Sequence, residues 1–409
     1  VRVAVIGGGI GGLTAALSLH AAGIEVEVHE AVAEIKPLGV GINLLPHAVR
    51  ELTELGLADG LAAIGLAPTE LIYANKFGQE IWREARGLAA GYRWPQISLH
   101  RGKLQMLLLA AAETRLGRDR IHLGRRAVRF ETGADGAAVH FASGSATADV
   151  IVAADGIHSA ARAHFYPDEG LPKWNRRILW RGVSSAPPFL GGRAMVMAGH
   201  QDQKFVCYPI AENGGNSDIN WIAELSFPEG HLWRREDWNR PADIGDFLPA
   251  FQSWRFPWLD VPGIIRAATH VFEYPMVDRD PLPGWTFGRL TLLGDAAHPM
   301  FPIGSNGASQ AILDARTLAF ELATKPDITA ALASYEAARR PATSKIVLAN
   351  RGNGPEQVMQ IAETRAPQGF DDIEQVISRR ELEEIAAGYK ALAGFDRETL
   401  NNRPSLTVG

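Results

Sequence analysis

Val1-Arg2-Val3-Ala4-Val5-Ile6-Gly7-Gly8-Gly9-Ile10-Gly11-Gly12 opens the chain, and its reading decides the fold. The apolar, β-branched run up to Ile6 is a buried strand. Helical spacing follows at Leu13, Ala16, Leu17 and Ala21, and Gly23 stops it. Ile24 to Glu30 then alternates apolar and polar residues as a second strand. Strand, glycine loop, helix and strand make a βαβ unit. The loop carries the GxGxxG spacing at Gly7, Gly9 and Gly12. Gly7 allows the tight turn, Gly9 lets the backbone approach a pyrophosphate, and Gly12 lets helix and strand pack closely. The helix N-terminus offers free N–H groups and a positive dipole end to phosphates. Glu30, about 20 residues on, is placed for ribose hydroxyls. The motif specifies a dinucleotide without saying which one.

Composition bounds the rest. The chain has 409 residues, 46% of them apolar and 21% charged, which suits two or three domains with a sizeable core. A net charge of −5 without a basic stripe excludes nucleic acid as a partner. The one cysteine, Cys207, rules out an internal disulfide and a CxxC redox pair, and it sits in an apolar run as a small buried hydrophobe. No apolar stretch reaches the roughly 20 residues of a membrane span. A cytoplasmic home, no metal site, and a monomer or homodimer are the expectations.

Further along, Pro46 opens a helix with Gly56 beyond its end, and Leu104 to Leu116 forms another after Arg101, closed by Gly117. Val128 to Glu131 and Ala138 to Phe141 flank a hairpin signal at Asp135-Gly136, and Val150 to Ala154 is a buried strand. From about Trp174 to Trp258 helical periodicity gives way to strand-like runs, with seven of the ten tryptophans. The strand Leu290 to Leu293 and a helix from about Ala308 resume the first pattern. The expected fold is α/β: a Rossmann-like βαβ domain (1–70, 98–173 and 275–340) with an inserted β-sheet domain (71–97 and 174–274). A helical C-terminal segment (341–409) follows.

Two further segments carry chemistry. Ile151-Val152-Ala153-Ala154-Asp155-Gly156 and Thr291-Leu292-Leu293-Gly294-Asp295 are strands ending in an acidic residue. In an open α/β sheet that position suits a ligand, although a helix cap or turn uses an Asp there as readily. Pro302-Ile303-Gly304-Ser305-Asn306-Gly307 is a Pro/Gly loop feeding a helix, and the N–H groups of Asn306 and Gly307 there can stabilise negative charge.

In this order the three segments resemble the signature set of the FAD-dependent aromatic hydroxylases with the p-hydroxybenzoate hydroxylase fold. The resemblance covers the chain to about Asn350. It includes Pro37-Leu38-Gly39-Val40-Gly41-Ile42-Asn43, His100-Arg101-Gly102, Trp180-Arg181-Gly182-Val183 and Tyr274-Pro275-Met276-Val277-Asp278, runs that are similar to the phenazine-carboxylate branch of that family. It implies that Asp295 bonds the ribityl chain of FAD and that Asp155 and Gly156 serve both FAD and NAD(P)H. It also implies that Arg101 lies near the FAD phosphates and ribityl, that the Val128 backbone holds the adenine, and that Gly41 passes close to the flavin. Pro302 would line the substrate face. The implied activity is a single-component monooxygenase: NADH or NADPH reduces FAD, O₂ gives a flavin C4a-hydroperoxide, and a small aromatic substrate is hydroxylated. The absence of a second GxGxxG after a strand fits a nicotinamide without a domain of its own. Tyr208, Trp221 and Trp180 are the candidate substrate contacts on the sheet, with Tyr208 and Pro302 the only candidates for a catalytic role; no base stands out. Two rivals remain at this level: a flavin oxidoreductase that does not hydroxylate, and a non-catalytic flavin- or ligand-binding protein.

Overall fold

A computed structural model describes residues 1–231 and 240–408 of the protein. The opening strand, Arg2–Ile6, lies inside a six-stranded sheet. Across the sheet the order is Thr286–Phe287, Leu290–Leu292, Val150–Ala153, Arg2–Ile6, Glu25–His29 and Ile121–His122. Every neighbouring pair is parallel except the outer hairpin. Val3, Val5, Val26, Val28, Ile151 and Leu292 form its core with the first helix, Ile10–Ala21. Nearly the whole of that helix is buried, which explains its run of Ala, Leu and Gly in place of a polar face. The chain leaves Arg2–Ile6 to one side for Glu25–His29 and returns on the other at Val150–Ala153. This reversal opens a crevice at the carboxyl ends of the strands.

The sheet-rich stretch is a seven-stranded sheet. Its order is Ala268–Asp278, Lys173–Ala186, Asn216–Ser226, Gln203–Asn213, Ala194–His200, Glu70–Ala74 and Glu80–Ala85. The alternation of side chains sorts it into two covered faces. One face carries Trp180, Trp221, Phe205 and Cys207 against Phe247, Phe251 and Trp254. The other carries Met195, Met197, Val206, Tyr208 and Ile222, toward Phe301, Ile303 and the C-terminal residues Val358 and Met359. Trp180 and Trp221 therefore do not reach the crevice, which corrects their reading as substrate contacts. The Trp180 ring stacks on Phe247 at 4.7 Å and 11°. Trp221 donates from Nε1 to Ser184 Oγ at 2.9 Å, in a slot kept open by Gly182, where a Cβ would meet its ring at 2.6 Å. Odd and even positions on one strand cannot share a face, so Tyr208 and Cys207 part in the same way. The Cys207 thiol is fully buried and burial pushes its pKa up, which leaves no thiolate nucleophile. Trp233 and Trp238 lie outside the described residues.

At the C-terminal end, the helix Ile328–Arg351 runs straight through Pro341, so the boundary expected at 341 falls inside a helix. The proline is exposed, and the hydroxyls of Thr343 and Ser344 donate to the Arg339 and Arg340 carbonyls beside it. The next helices, Gln357–Arg365 and Arg379–Leu392, fold back over the crevice side of the large sheet.

Candidate active site

The glycine loop is built as its spacing requires. Gly7 has φ 113°, and a Cβ there would meet the Ala154 carbonyl at 2.3 Å. A Cβ on Gly12 would lie 1.9 Å from the Gly7 carbonyl, so helix and strand touch backbone to backbone. Gly9 differs: a Cβ there would meet nothing within 4 Å and would enter the open crevice. Glu30 accepts from the N–H groups of Gly8 (2.6 Å) and Val32 (2.9 Å), which fixes its carboxylate beside the loop. Arg125 N donates to the Glu30 carbonyl and Gly124 N to that of Val32. These bonds hold the approach to Val128 alongside Glu30. Val128 itself is 60% exposed on an outer strand and does not line the crevice.

Between the two sheets the crevice deepens into a cavity of about 310 Å³. Gly9, Gly156, Asp295, Asn306 and Gly307 line one side, and Met195, Met197, Val206, Tyr208 and Ile222 the other, with Arg101 and Pro302 also in its wall. Gly41 lies just behind: it donates to Asn220 Oδ1 (2.7 Å) and its carbonyl accepts from Arg181 Nη2 (2.8 Å), so the large sheet grips this strand while Ile42 and Asn43 face the cavity.

Asp155 accepts through Oδ2 from Ala160 N (2.7 Å) and Ala161 N (3.3 Å). Its Oδ1 is buried without a partner, and burial raises its pKa. Asp295 has no hydrogen-bond partner among the described residues and is open only to the cavity. Enclosure by protein raises its pKa, with His298 and Arg101 pulling the other way. An empty cleft hydrates this carboxylate, whereas a ligand filling the cleft must bond it.

The turn that presents Asp295 is anchored by Asp314. Its carboxylate accepts from Gly294 N (3.1 Å), His298 Nε2 (2.5 Å) and Arg339 Nε (2.7 Å). Arg339 also donates to Gln310 Oε1, and Gln310 Nε2 lies 3.3 Å from Asn306 Oδ1. The helix Gly307–Thr324 is thus held by the same network as the Asp295 turn. Ahead of it Gly304 (φ 68°) and Ser305 (φ 57°) both take left-handed conformations, which strains Ser305 in the cavity wall. The Tyr389 hydroxyl accepts from Asn306 Nδ2 (2.9 Å) and donates to Asn350 Oδ1 (2.8 Å), sitting where a Gly304 Cβ would be.

Open Cβ directions at Gly9, Gly156 and Gly307, the orphaned Asp155 oxygen, and an unpaired carboxylate and guanidinium at Asp295 and Arg101 together fit FAD, with its diphosphate and polyhydroxyl chain. The FAD binding domain family matches residues 1–172 and 278–350, more than half of the chain. The chain belongs to this family. As a member it is an FAD-dependent aromatic monooxygenase that uses NAD(P)H and O₂. It is 48% identical to the phenazine 1,6-dicarboxylic acid hydroxylase of Lysobacter antibioticus, over 85% of this chain and 89% of that one. To the 6-hydroxynicotinate 3-monooxygenase of Bordetella bronchiseptica it is 31% identical, over 86% and 91%. The crystal structure of Klebsiella pneumoniae HpxO complexed with FAD and uric acid superimposes with a TM-score of 0.75 at 26% identity, covering 98% of this chain and 96% of that one.

Beyond the residues singled out from sequence, Arg181, Met195, Met197, Glu224 and Glu356 line the cavity, with Asn220 behind Gly41 and Lys204 behind the two glutamates. Alternation around Tyr208 could have flagged the strand residues; Glu356, from a distant helical turn, left no signal. Glu27, His29 and His122 also gather, but the two imidazoles stack at 4.7 Å and 17°, and no single ion can lie in both ring planes.

Asp295→Ala tests the flavin site. The apoprotein should keep its melting temperature to within a few degrees, because the Asp295 side chain has no hydrogen-bond partner among the described residues. The Kd for FAD, followed by flavin fluorescence, should rise about 10- to 100-fold, the loss of a charge-assisted hydrogen bond.

Proposed function

We propose that the protein hydroxylates a planar heteroaromatic carboxylic acid, with NADH or NADPH as a passing hydride donor. The observation that carries this reading is the two-sided cavity. One wall is glycine, Asp295 and a helix N-terminus; the opposite wall is the apolar set Met195, Met197, Val206 and Ile222. FAD, when bound, supplies the two-electron centre that accepts hydride and activates O₂. The residues do the remaining work. Asp295 and Arg101 hold the polar arm, and Asp155 and Gly156 the turn beside it. Gly307 and Asn306 at the head of their helix favour negative charge in the cavity. The apolar wall keeps water from the reacting face, and its unbranched methionines fit a flat ring.

Arg181 and Tyr208 give the cavity a cation and a hydroxyl beside the Gly41 strand. Burial pushes the Tyr208 phenol up to about 12, so it stays neutral and can donate to the substrate at working pH. With Pro302 it remains the candidate for contact at the reacting end. The phenazine, nicotinate and aminohydroxybenzoate acids in the names of the relatives support an aromatic acid as the substrate class.

The test is product mass spectrometry under isotopically heavy O₂, with NADH or NADPH and a panel of phenazine, nicotinic and hydroxybenzoic acids. A phenazine or nicotinic acid should stimulate NAD(P)H oxidation and emerge with one heavy oxygen atom, and do so better than the hydroxybenzoic acids. Ligand-stimulated NAD(P)H oxidation that yields only hydrogen peroxide for every acid would overturn the reading and favour a non-hydroxylating oxidoreductase.

A further inference from the structure

Lys204, Glu224 and Glu356 form a buried triad whose two carboxyl groups lie in the wall of the cavity. Lys204 Nζ lies 2.9 Å from Glu224 Oε2 and 2.5 Å from Glu356 Oε2, and all three side chains are 4–6% exposed. Lys204 and Glu224 are paired across neighbouring strands, and Glu356 arrives from the short helical turn Gly354–Glu356. The two contacts differ. Lys204 donates a well-formed hydrogen bond to Glu356, whereas its contact with Glu224 Oε2 is less well directed and is chiefly one of charge. Glu224 and Glu356 both line the cavity. Along its strand Glu224 is four residues, about 13 Å, from Asn220 and its contact with Gly41. Ile222 lies between them on the same face.

Two carboxyl groups thus share one ammonium in a dry site, and a second buried negative charge there is costly. Burial raises the pKa of Glu224; Lys204 opposes this, Glu356 adds to it, and Arg177 from the adjoining strand opposes it. Glu356 takes the better-directed bond from Lys204, so of the two carboxyls Glu224 is the one left to keep a proton and offer it.

We propose that Glu224, positioned by Lys204 and Glu356, is a specificity-determining residue that donates a hydrogen bond from its carboxyl O–H to a ring nitrogen or other neutral acceptor of the substrate, away from the Gly41 end of the cavity. The proposal rests on the reading that a heteroaromatic acid fills this cavity. It adds that a carbocyclic acid of the same shape binds less well, because it leaves a buried donor unpaired.

The probes are phenazine-1-carboxylate and anthracene-1-carboxylate, equal in outline and differing in the ring nitrogens. Both are titrated against the FAD-loaded protein by the change in flavin absorbance. Glu224→Leu should weaken phenazine-1-carboxylate about tenfold or more, the effect of one missing hydrogen bond, and leave anthracene-1-carboxylate within about threefold. Glu224→Gln, whose amide also donates, should stay within about threefold for both. In the wild type the phenazine acid should bind more weakly as pH rises and Glu224 loses its proton, while Glu224→Gln stays flat. Flavin content and melting temperature establish that each variant is folded; should Glu224→Leu fail to fold, the comparison of wild type and Glu224→Gln over pH decides alone. Equal losses for both probes in Glu224→Leu, or a wild-type pH profile as flat as that of Glu224→Gln, overturn this inference and leave the hydroxylase reading standing. A wild type that binds neither probe overturns this inference too, and the hydroxylase reading is then decided by the oxygen-incorporation test alone.

Discussion

Gly9→Val should fold and fail to hold FAD, whereas Gly12→Ala should fail to fold properly at all. The two glycines stand three residues apart in one loop, yet their surroundings are opposite. A side chain on Gly9 points into the open cavity and touches no protein atom. The apoprotein should lose no more than about 1 kcal/mol, the difference between Gly and Val at a helix N-cap. The same side chain occupies the ground a pyrophosphate needs. Deprived of two charge-assisted hydrogen bonds from backbone N–H groups, FAD should bind about 100-fold more weakly or worse. A methyl on Gly12 would lie 1.9 Å from the backbone oxygen of Gly7, so the first helix must move off the first strand. The cost should exceed the roughly 1–3 kcal/mol of ordinary overpacking, since backbone cannot rotate away as a side chain can. Thermal melts with and without FAD separate the cases. A Gly9→Val protein that keeps wild-type FAD affinity would sink the placement of the diphosphate.

The second large effect is expected at Asp314, which touches neither cavity nor ligand. Asp314→Ala leaves His298, Arg339 and the Gly294 N–H without their shared acceptor in a fully buried place. Breaking a buried ion pair from one side costs about 3–5 kcal/mol. The melting temperature should drop accordingly and FAD affinity with it, because the Asp295 turn and the helix head at Gly307 lose their common anchor. The pH dependence follows from the same hydrogen bonds. Burial alone would raise the Asp314 carboxyl, but His298 and Arg339 outweigh it and hold the pKa at about 2. A folded value below the unfolded one means stability present above about pH 4 and lost as pH falls toward 2, an acid-side contribution of about 2–3 kcal/mol. Chemical denaturation from pH 6 down to pH 2 should show that loss in the wild type and not in Asp314→Ala. Equal acid slopes in the two proteins would remove Asp314 from the account.

The βαβ start, the acidic strand ends at Asp155 and Asp295, and the helix heads at Arg101 and Gly307 were legible in the chain because each is a local event. A glycine spacing or a strand ending in Asp has its physical reason within a dozen residues. The expected strands of the large sheet were also found, each within a longer observed strand. Which face of a strand meets the cavity was not legible: Trp180 and Trp221 looked as eligible as Tyr208, and only packing against Phe247 and Ser184 assigns them to the far side. The C-terminal segment carried no motif, yet Glu356 reaches the cavity from it and Tyr389 holds the cavity residue Asn306.

By itself the sequence determined that this protein holds a dinucleotide at the carboxyl ends of a parallel sheet's strands, because backbone conformation and helix polarity depend on neighbours in the chain. The tertiary structure decided what surrounds the substrate. It seated Asp295 on the buried Asp314 network and brought Lys204, Glu224 and Glu356 into one wall. Buried charge and the parity of paired strands are settled by partners far apart in the chain, 152 residues for Lys204 and Glu356, and no local pattern records them.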